Sequence, residues 1–541
     1  MTPHDVPRRR ISTEKTIFLG LMILYAEYCL LFIYNTSFVV GGQRYFTLLD
    51  DAMISMRYAK NFAAGHGLIW NIGGARVEGY TNFLWVMVMS LFHFLPIPVS
   101  KISCCVQVLA MVLLIANLFV VRKIARILSN GSTTVIIGSV LLTALFYPLN
   151  VWSLRGMEVS ILTLILSVAV WKILQRPRQD RLPGVFYILI PCGILIRTDM
   201  VVPFLALLLV QSFHARREGL KIDFRGYVAV LGVLLVHTIF RYVYYGDILP
   251  NTYYLKLTGF PVWGRIYGGI NSFWTIVEDA SFLFYILPFV LYLIYPQKRK
   301  AISLLLAVCW AQFAYSVYIG GDIYEVYQIM NRHDATVMPL LFILIAWSFQ
   351  SLLDNVSFKL QASFSRFSVP LTPVLFWFLV LYTLYSFNQK QIYPAAVLMP
   401  AVEVPLDEQR VRKALIVRET TDTSATIAVA PAGSIPYFSE RTTIDLLGKN
   451  DPVIARMPAV YTKEFLPGHN KWDYKYSIEK LHPDVVVELF RQTDVILPYL
   501  EREYLLVPVG NGGVFYYRKS SPHVYFNKPP LIKDSTTVNH L

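Results

Sequence analysis

Long runs of apolar residues recur along the chain, and they constrain its fold more than any other feature. Apolar residues make up 55% of the 541 residues and charged residues only 16%, whereas soluble chains carry more charge. About 20 helical residues cross the hydrocarbon core of a bilayer. The pattern therefore predicts a polytopic α-helical membrane protein. Apolar runs lie near 16–38, 81–96, 102–121, 132–150, 157–174, 185–197, 199–213, 227–245, 280–296, 301–319, 335–352 and 369–387.

Short basic clusters between the apolar runs indicate how the chain crosses the membrane. The net charge is +14, and the positive-inside rule places such clusters in the cytoplasm. Arg8, Arg9 and Arg10 precede the first run, so we expect a retained signal anchor with a cytoplasmic N-terminus. If every basic cluster is cytoplasmic, the apolar runs 81–96 and 102–121 together cross the membrane only once. The twelve runs then correspond to about 11 transmembrane helices.

The pair of short runs 185–197 and 199–213 is interrupted by Arg197-Thr198-Asp199. Polar, irregular backbone at membrane depth is tolerated only where it faces protein or a polar cavity. The sequence therefore predicts a broken hairpin beside such a cavity.

The basic charge and the five cysteines indicate neither a nucleic-acid-binding protein nor a metal site. The basic residues form no basic–aromatic motif of the kind that binds nucleic acid. The cysteines all lie in apolar runs without metal-ligand spacing, which is typical of small buried residues.

The composition changes after Asn388, where long apolar runs stop and Pro and charged residues increase. Short strand patterns separated by turns, together with two helical patterns, predict a soluble α/β domain. We therefore divide the chain into a transmembrane part, 1–388, and an extracytoplasmic domain, 389–541. The strands are expected at 426–430, 484–488, 504–509 and 513–517, and the helices at 406–418 and 474–481.

Two adjacent carboxylates, Asp50 and Asp51, lie in the first outer loop, 39–80. Charge next to a bilayer is costly, and like charges side by side repel each other. A helix over 52–64 is expected at the outer interface, and N-capping of that helix explains one Asp but not both.

Several segments resemble bacterial GT-C glycosyltransferases, and most closely the terminal arabinofuranosyltransferases of mycobacterial cell-wall synthesis. The most specific segment is DDAMISMRYAKNFAAGHGLIWNIGGARVEGYTNFLW, residues 50–85. Four further segments match less specifically: YYGDILPNTYYLK, YIGGDIY with NRHDATVMPL, IPYFSERTTIDLLGKNDPVIAR, and PGHNKWDY.

The resemblance implies an inverting transferase in the bacterial inner membrane that acts in cell-envelope biogenesis. Its donor would be a polyprenyl-phosphate monosaccharide, with arabinofuranose the sugar of the nearest kin. The acceptor would be an extracytoplasmic glycan, glycolipid or protein. A lipid-linked-sugar transporter or flippase is the alternative, although the sequence shows no inverted repeat.

The resemblance also assigns roles at the site. An Asp of the first outer loop acts as base on the acceptor hydroxyl, and we expect this to be Asp50. Asp51 would cap the helix, bind sugar hydroxyls or share a Mg²⁺ or Mn²⁺ ion with Asp50, and the sequence leaves metal dependence open. The candidate substrate-binding residues are Arg57, Glu78, Tyr80, Asn82, Lys256, Asp322, Arg332 and His469.

Overall fold

The computed structural model describes residues 13–175, 181–361, 371–461, 463–509 and 513–526. Arg8, Arg9 and Arg10 lie outside the described residues, as does the end of the predicted C-terminal domain. Helices α1 to α17 form the membrane part, and the short helix α18 follows it. They are Thr13–Asn35, Asp50–Ala63, Phe83–His93, Val99–Leu128, Thr133–Ala144, Tyr147–Leu154, Val159–Leu174, Phe186–Ile196, Val201–Arg217, Arg225–Tyr245, Asn251–Leu257, Val262–Ala280, Leu283–Ile294, Arg299–Ile319, Arg332–Ala335, Met338–Gln361, Leu371–Asn388 and Ile392–Ala395.

The membrane part confirms a multi-pass helical protein. Within the described residues, six helices are long and apolar enough to span a bilayer, and two bent helix pairs raise the number to eight. Three shorter apolar helices, α3, α7 and α8, pack among them. The longest helix, α4, has 30 residues and rises about 45 Å, so it extends beyond the hydrocarbon core. Its Arg122 Nε donates to Glu14 Oε1 at 2.7 Å, which ties the basic end of α4 to α1.

The outer loop starts with a hairpin of β1, Ser37–Val40, and β2, Gln43–Phe46. It continues into α2, which begins two residues earlier than expected and is mostly buried. The face of this helix that carries Arg57 and Asn61 is therefore covered, because the C-terminal domain packs over it. Capping by Asp51 is wrong, since the N-cap residue is Leu49.

The C-terminal domain has the predicted α/β composition. Its sheet has the strand order β4-β3-β5-β7-β6, and β3 pairs in parallel with both β4 and β5. Strand β4, Thr442–Asp445, was not anticipated. The other strands are β3 Thr426–Val429, β5 Val485–Val486, β6 Tyr504–Pro508 and β7 Val514–Arg518, and the α-helices are α19 Val404–Thr420, α20 Ser434–Ser439, α21 Pro452–Arg456 and α22 Leu497–Glu503. Residues Lys475–Lys480 form a π-helix where a helix was expected.

The domain docks on the membrane part through aromatic side chains of α20. The ring of Phe438 meets that of Tyr45 edge-on at 5.7 Å. The Tyr437 hydroxyl lies 3.1 Å from Nε2 of His93 in α3. All four side chains are buried or partly buried, so α20 packs firmly on β2 and α3 of the membrane part.

Candidate functional site

Asp50 begins α2 and is held by the C-terminal domain. Its Oδ1 accepts from the Ser434 backbone N–H at 2.8 Å, and its Oδ2 from the Gly433 N–H at 3.0 Å. The residue is buried, with 8% of its surface exposed. Both carboxylate oxygens therefore have a neutral donor, and each retains a lone pair for a further hydrogen bond.

Asp51 is held by cations instead. Lys449 Nζ forms an ion pair with its Oδ1, and Arg332 Nη1 lies 3.4 Å from its Oδ2. Burial raises the pKa of Asp51, but the charges of Lys449, Arg332 and Lys256 outweigh burial and hold the pKa well below its usual range. Asp51 is therefore ionised at any physiological pH.

Arg332 links the acidic pair to Asp322. Its Nε lies 2.9 Å from Asp322 Oδ2, and both side chains are buried. Burial raises the pKa of Asp322, but Arg332 and Lys256 lower it further than burial raises it. The guanidinium thus lies between two carboxylates, Asp51 and Asp322.

Lys256, near the end of the short helix α11, is the remaining cation of this cluster. Its ammonium makes no hydrogen bond or ion pair with any residue that the structure describes. Burial lowers the pKa of Lys256 to about 8, and the neighbouring charges of Arg332 and Lys449 act in the same direction. A partly buried ammonium beside two other cations favours an anionic ligand.

Two cavities meet at these residues. One has a volume of about 300 Å³ and lies at the ends of apolar helices. Lys256, Asp322 and Arg332 line it, together with apolar Leu249, Pro250, Leu257 and Ile319. The other, of about 260 Å³, lies beneath the C-terminal domain and is lined by Asp50, Asp51 and Lys449. The Asp51–Arg332 ion pair therefore connects the walls of the two cavities.

The break between α8 and α9 lies at the first cavity, as predicted. Arg197, Thr198 and Asp199 all line it. Arg197 donates to Glu158 at 2.7 Å and to Asp199 at 2.9 Å, and His333 Nδ1 lies 3.3 Å from Asp199 Oδ2. This network satisfies the charges of the break and places His333 on the cavity wall.

His469 lines the second cavity. Its Nδ1–H donates to the Pro467 carbonyl at 3.0 Å, because a carbonyl oxygen can only accept. Burial lowers the pKa of His469 to about 4, and Lys449 acts in the same direction. The imidazole is therefore neutral near pH 7, and its Nε2 is an acceptor that receives no hydrogen bond from the residues that the structure describes.

Four of the predicted site residues lie in structural contacts outside both cavities. Arg57 donates to the carbonyls of Trp70 and Arg441. Glu78 pairs with Arg241 at 2.8 Å. The Tyr80 and Tyr245 hydroxyls lie 2.8 Å apart, and Asn82 bridges Ser55 and Glu158. The structure brings together the other six: Asp50, Asp51, Lys256, Asp322, Arg332 and His469.

Several residues of the site were not singled out from the sequence. Lys449 lies inside the quoted segment IPYFSERTTIDLLGKNDPVIAR, so a signal for it existed. The amides of Gly433 and Ser434 act through the backbone, which leaves no side-chain signal. His333 follows Arg332 in NRHDATVMPL, and its partner Asp199 is 134 positions away in the chain.

The pair does not fit a divalent metal ion in this arrangement. Within the described ranges, no group of three or more His, Cys, Asp or Glu side chains could hold a metal ion. Asp50 already accepts two amide N–H groups, and Asp51 already faces Lys449 and Arg332. A cation between the two carboxylates would have to displace these partners.

Comparison with known sequences gives two matches. Residues 400–526 match the model of a domain of unknown function, DUF8728. The chain is also 24% identical over 237 residues to the "Terminal beta-(1->2)-arabinofuranosyltransferase" of Mycobacterium tuberculosis. This match covers 41% of the chain and 37% of that relative, so the chain spans less than half of the relative's length.

Comparison with solved structures confirms the fold. ArnT from Cupriavidus metallidurans in the apo state superposes with a TM-score of 0.57 at 11% identity, covering 92% of the chain and 98% of ArnT. ArnT bound to undecaprenyl phosphate gives 0.56 at 13% identity, covering 94% and 98%. The Archaeoglobus fulgidus oligosaccharyltransferase in the apo form gives 0.52 at 10% identity, covering 95% and 76%. The similarity extends over nearly the whole chain.

Proposed function

We infer that the chain, which has the GT-C fold, is an inverting membrane glycosyltransferase. It moves a monosaccharide from a polyprenyl-phosphate donor to a glycan, glycolipid or protein outside the cytoplasm. The observation that carries this proposal is the acidic pair at the junction of two cavities. One cavity is basic and partly apolar, and the other carries more acidic than basic side chains and is covered by the C-terminal domain.

The first cavity suits the donor. Its apolar lining at the ends of the membrane helices fits the first isoprene units, and Lys256 and Arg332 fit the phosphate. Negative charge develops on the leaving phosphate during transfer, and fixed cations stabilise it. One structural neighbour, ArnT, was solved with undecaprenyl phosphate bound, which supports a lipid-phosphate ligand for this chain.

The second cavity suits the acceptor, with Asp50 as general base. The acceptor hydroxyl gives its proton to Asp50 while its oxygen attacks the anomeric carbon. The bond from that carbon to the phosphate oxygen breaks, and polyprenyl phosphate leaves with the electron pair. We assign the base to Asp50 rather than Asp51 because Lys449 and Arg332 engage the two oxygens of Asp51, whereas each oxygen of Asp50 accepts one backbone N–H and keeps a lone pair. The Nε2 of His469 can accept from another acceptor hydroxyl.

No step of this reaction requires a divalent cation. Lys256 and Arg332 already supply two positive charges in the donor cavity. These charges can meet the phosphate directly, as basic side chains do in phosphate sites.

For the sugar we propose arabinofuranose, and for the location a bacterial inner membrane with the site outside the cytoplasm. The name of the mycobacterial relative supports the sugar. The basic residues at the end of α9 and at the start of α14 support the orientation, because the opposite ends of these two helices lie at the first cavity.

Turnover in detergent tests the proposal. Purified protein is supplied with radiolabelled polyprenyl-phosphate arabinofuranose and an oligosaccharide acceptor, with hexosyl donors in parallel. We expect label in the acceptor and release of polyprenyl phosphate. Because detergent micelles enclose no second compartment, this turnover does not depend on a membrane gradient. Donor binding without cleavage of any sugar would instead indicate the transporter.

A further inference from the structure

Both carboxylates of the acidic pair are held from the C-terminal domain, whose family has no known function. The Gly433 and Ser434 amides hold Asp50, and Lys449 holds Asp51. Asp50 and Asp51 themselves belong to α2 of the membrane part. The candidate reaction centre therefore depends on contacts between the two parts of the protein.

The two contacts come from loops at one edge of the domain sheet. Gly433 follows β3 by four residues, and Lys449 follows β4 by four residues. Because β3 and β4 are adjacent and parallel, their carboxyl ends lie at the same edge, which is where open α/β sheets place their functional loops. The sheet thus delivers both loops to Asp50 and Asp51.

The backbone of the first loop is in close contact with Asp50 at Gly433. A methyl group built on Gly433 would lie 2.0 Å from the Asp50 backbone oxygen and 2.8 Å from its Oδ1. The φ angle of Gly433 is −103°, which other residues also adopt, so the requirement for glycine is close contact. A side chain here must push the loop away from Asp50.

The second loop is held by its own carboxylate. Asp445, the last residue of β4, accepts from the backbone N–H groups of Leu447, Gly448 and Asn450 at 3.0, 3.1 and 2.8 Å. These bonds close the loop on both sides of Lys449. Its ammonium is thereby directed at Asp51 by the fold of the loop.

We propose that these loops are positioning elements of sugar transfer: the Gly433–Ser434 amides orient Asp50, Lys449 fixes Asp51, and the C-terminal domain thereby completes the active site. The inference rests on the proposed function. It assigns the domain a role in the chemical step. A displacement of about 1 Å at a reacting group can cost about 100-fold in rate, so the loops are expected to act on kcat.

Gly433→Ala tests the first loop, with Gly232→Ala as its matched control. The control makes the same change at an exposed position of α10, where an added methyl group has open space. We expect Gly433→Ala to lower kcat about 100-fold while the donor KM stays within twofold of the wild type, and Gly232→Ala to change neither. Equal kcat values for both variants and the wild type would overturn the positioning role.

Lys449→Met and Lys449→Arg test the second loop. If Gly433→Ala does not fold, these two variants decide whether the C-terminal domain positions the acidic pair. We expect Lys449→Met to lower kcat at least tenfold and Lys449→Arg to restore most of it, because a charge-assisted contact is lost and then replaced. Wild-type kcat in Lys449→Met, or no rescue by Arg, contradicts the inference. If the wild type transfers sugar in these assays, the proposed function stands whichever result is found.

Discussion

Lys256 is the residue whose surroundings indicate most directly what it binds. It lines the basic cavity without a partner among the described residues. We expect Lys256→Ala to raise the donor KM about tenfold or more, since a charge-assisted contact to phosphate contributes about 1.5–3 kcal/mol. Lys256→Arg is the control that keeps the charge. Steady-state kinetics with varied donor measures the effect, and an unchanged donor KM in Lys256→Ala would place the phosphate elsewhere.

The same side chain predicts a pH dependence of donor binding. The pKa of Lys256 is lowered to about 8, first by burial and then by the Arg332 and Lys449 charges, against Asp51 and Asp322. The ammonium is present below this pKa and is lost above it, so the donor KM should rise as the pH increases beyond about 8. Lys256→Arg should abolish that rise, because Arg stays charged. A profile that is the same in both proteins would assign the effect to another group.

At the scale of single residues, the sequence predicts which charged residues belong to the site better than it predicts which residues they contact. The acidic pair, Lys256, Asp322 and Arg332 were all named from it and do come together. Arg57 and Glu78 were chosen by the same reasoning but are paired inside the fold. Both sets consist of charged residues of the kind found in sites. Only the tertiary contacts show which of them lie together and which are paired elsewhere in the fold. The Gly433 and Ser434 amides could not be predicted, because every residue but Pro carries an amide.

At the scale of elements, the broken pair α8 and α9 was predicted and α2 was only half predicted. Polar Arg197-Thr198-Asp199 between apolar runs already indicated a break at a cavity. For α2 the helical spacing of apolar and polar residues predicted the helix but not its surroundings. Its charged face is covered by the C-terminal domain, which begins more than 300 positions later in the sequence.

The charge network at the break is expected to stabilise the membrane part. Arg197 is buried and pairs with both Glu158 and Asp199. Arg197→Met leaves two buried carboxylates without their main cation, and breaking a buried pair in this way costs about 3–5 kcal/mol. We expect a clear fall of the unfolding temperature in detergent, measured by a thermal shift assay. Arg216→Met, at an exposed position, is the control, and an equal small shift in both variants would mean that the network is not stabilising.

At the scale of the whole molecule, the account requires the site and the C-terminal domain to lie outside the cytoplasm. Thr423 in that domain and Arg216 at the basic end of α9 are both exposed. We expect Thr423→Cys, but not Arg216→Cys, to react with a membrane-impermeant maleimide in intact spheroplasts, and both to react after lysis. The wild type, with its five native cysteines, gives the background. The opposite labelling pattern would reverse the proposed orientation.

The two-part organisation itself follows from the sequence, because apolar runs and strand patterns occupy separate stretches. How the parts fit together does not follow from it. The fit depends on the aromatic contacts of α20 and on two loops whose positions are set by β3 and β4. One of these strands, β4, has the sequence TTID, and its single apolar residue gives no strand pattern.

The comparison of Asp50→Asn with Asp51→Asn tests the central claim most directly. Asparagine keeps the size and one acceptor oxygen of Asp50 but cannot take up the acceptor proton. Since removing a general base lowers the rate about 10²–10⁴-fold, Asp50→Asn should lose transfer by that factor while donor binding stays near wild type, and Asp51→Asn should retain more activity. If both variants fold and keep most of their activity, the acidic pair is structural and the proposed mechanism is wrong; a loss confined to Asp51→Asn would move the base to Asp51.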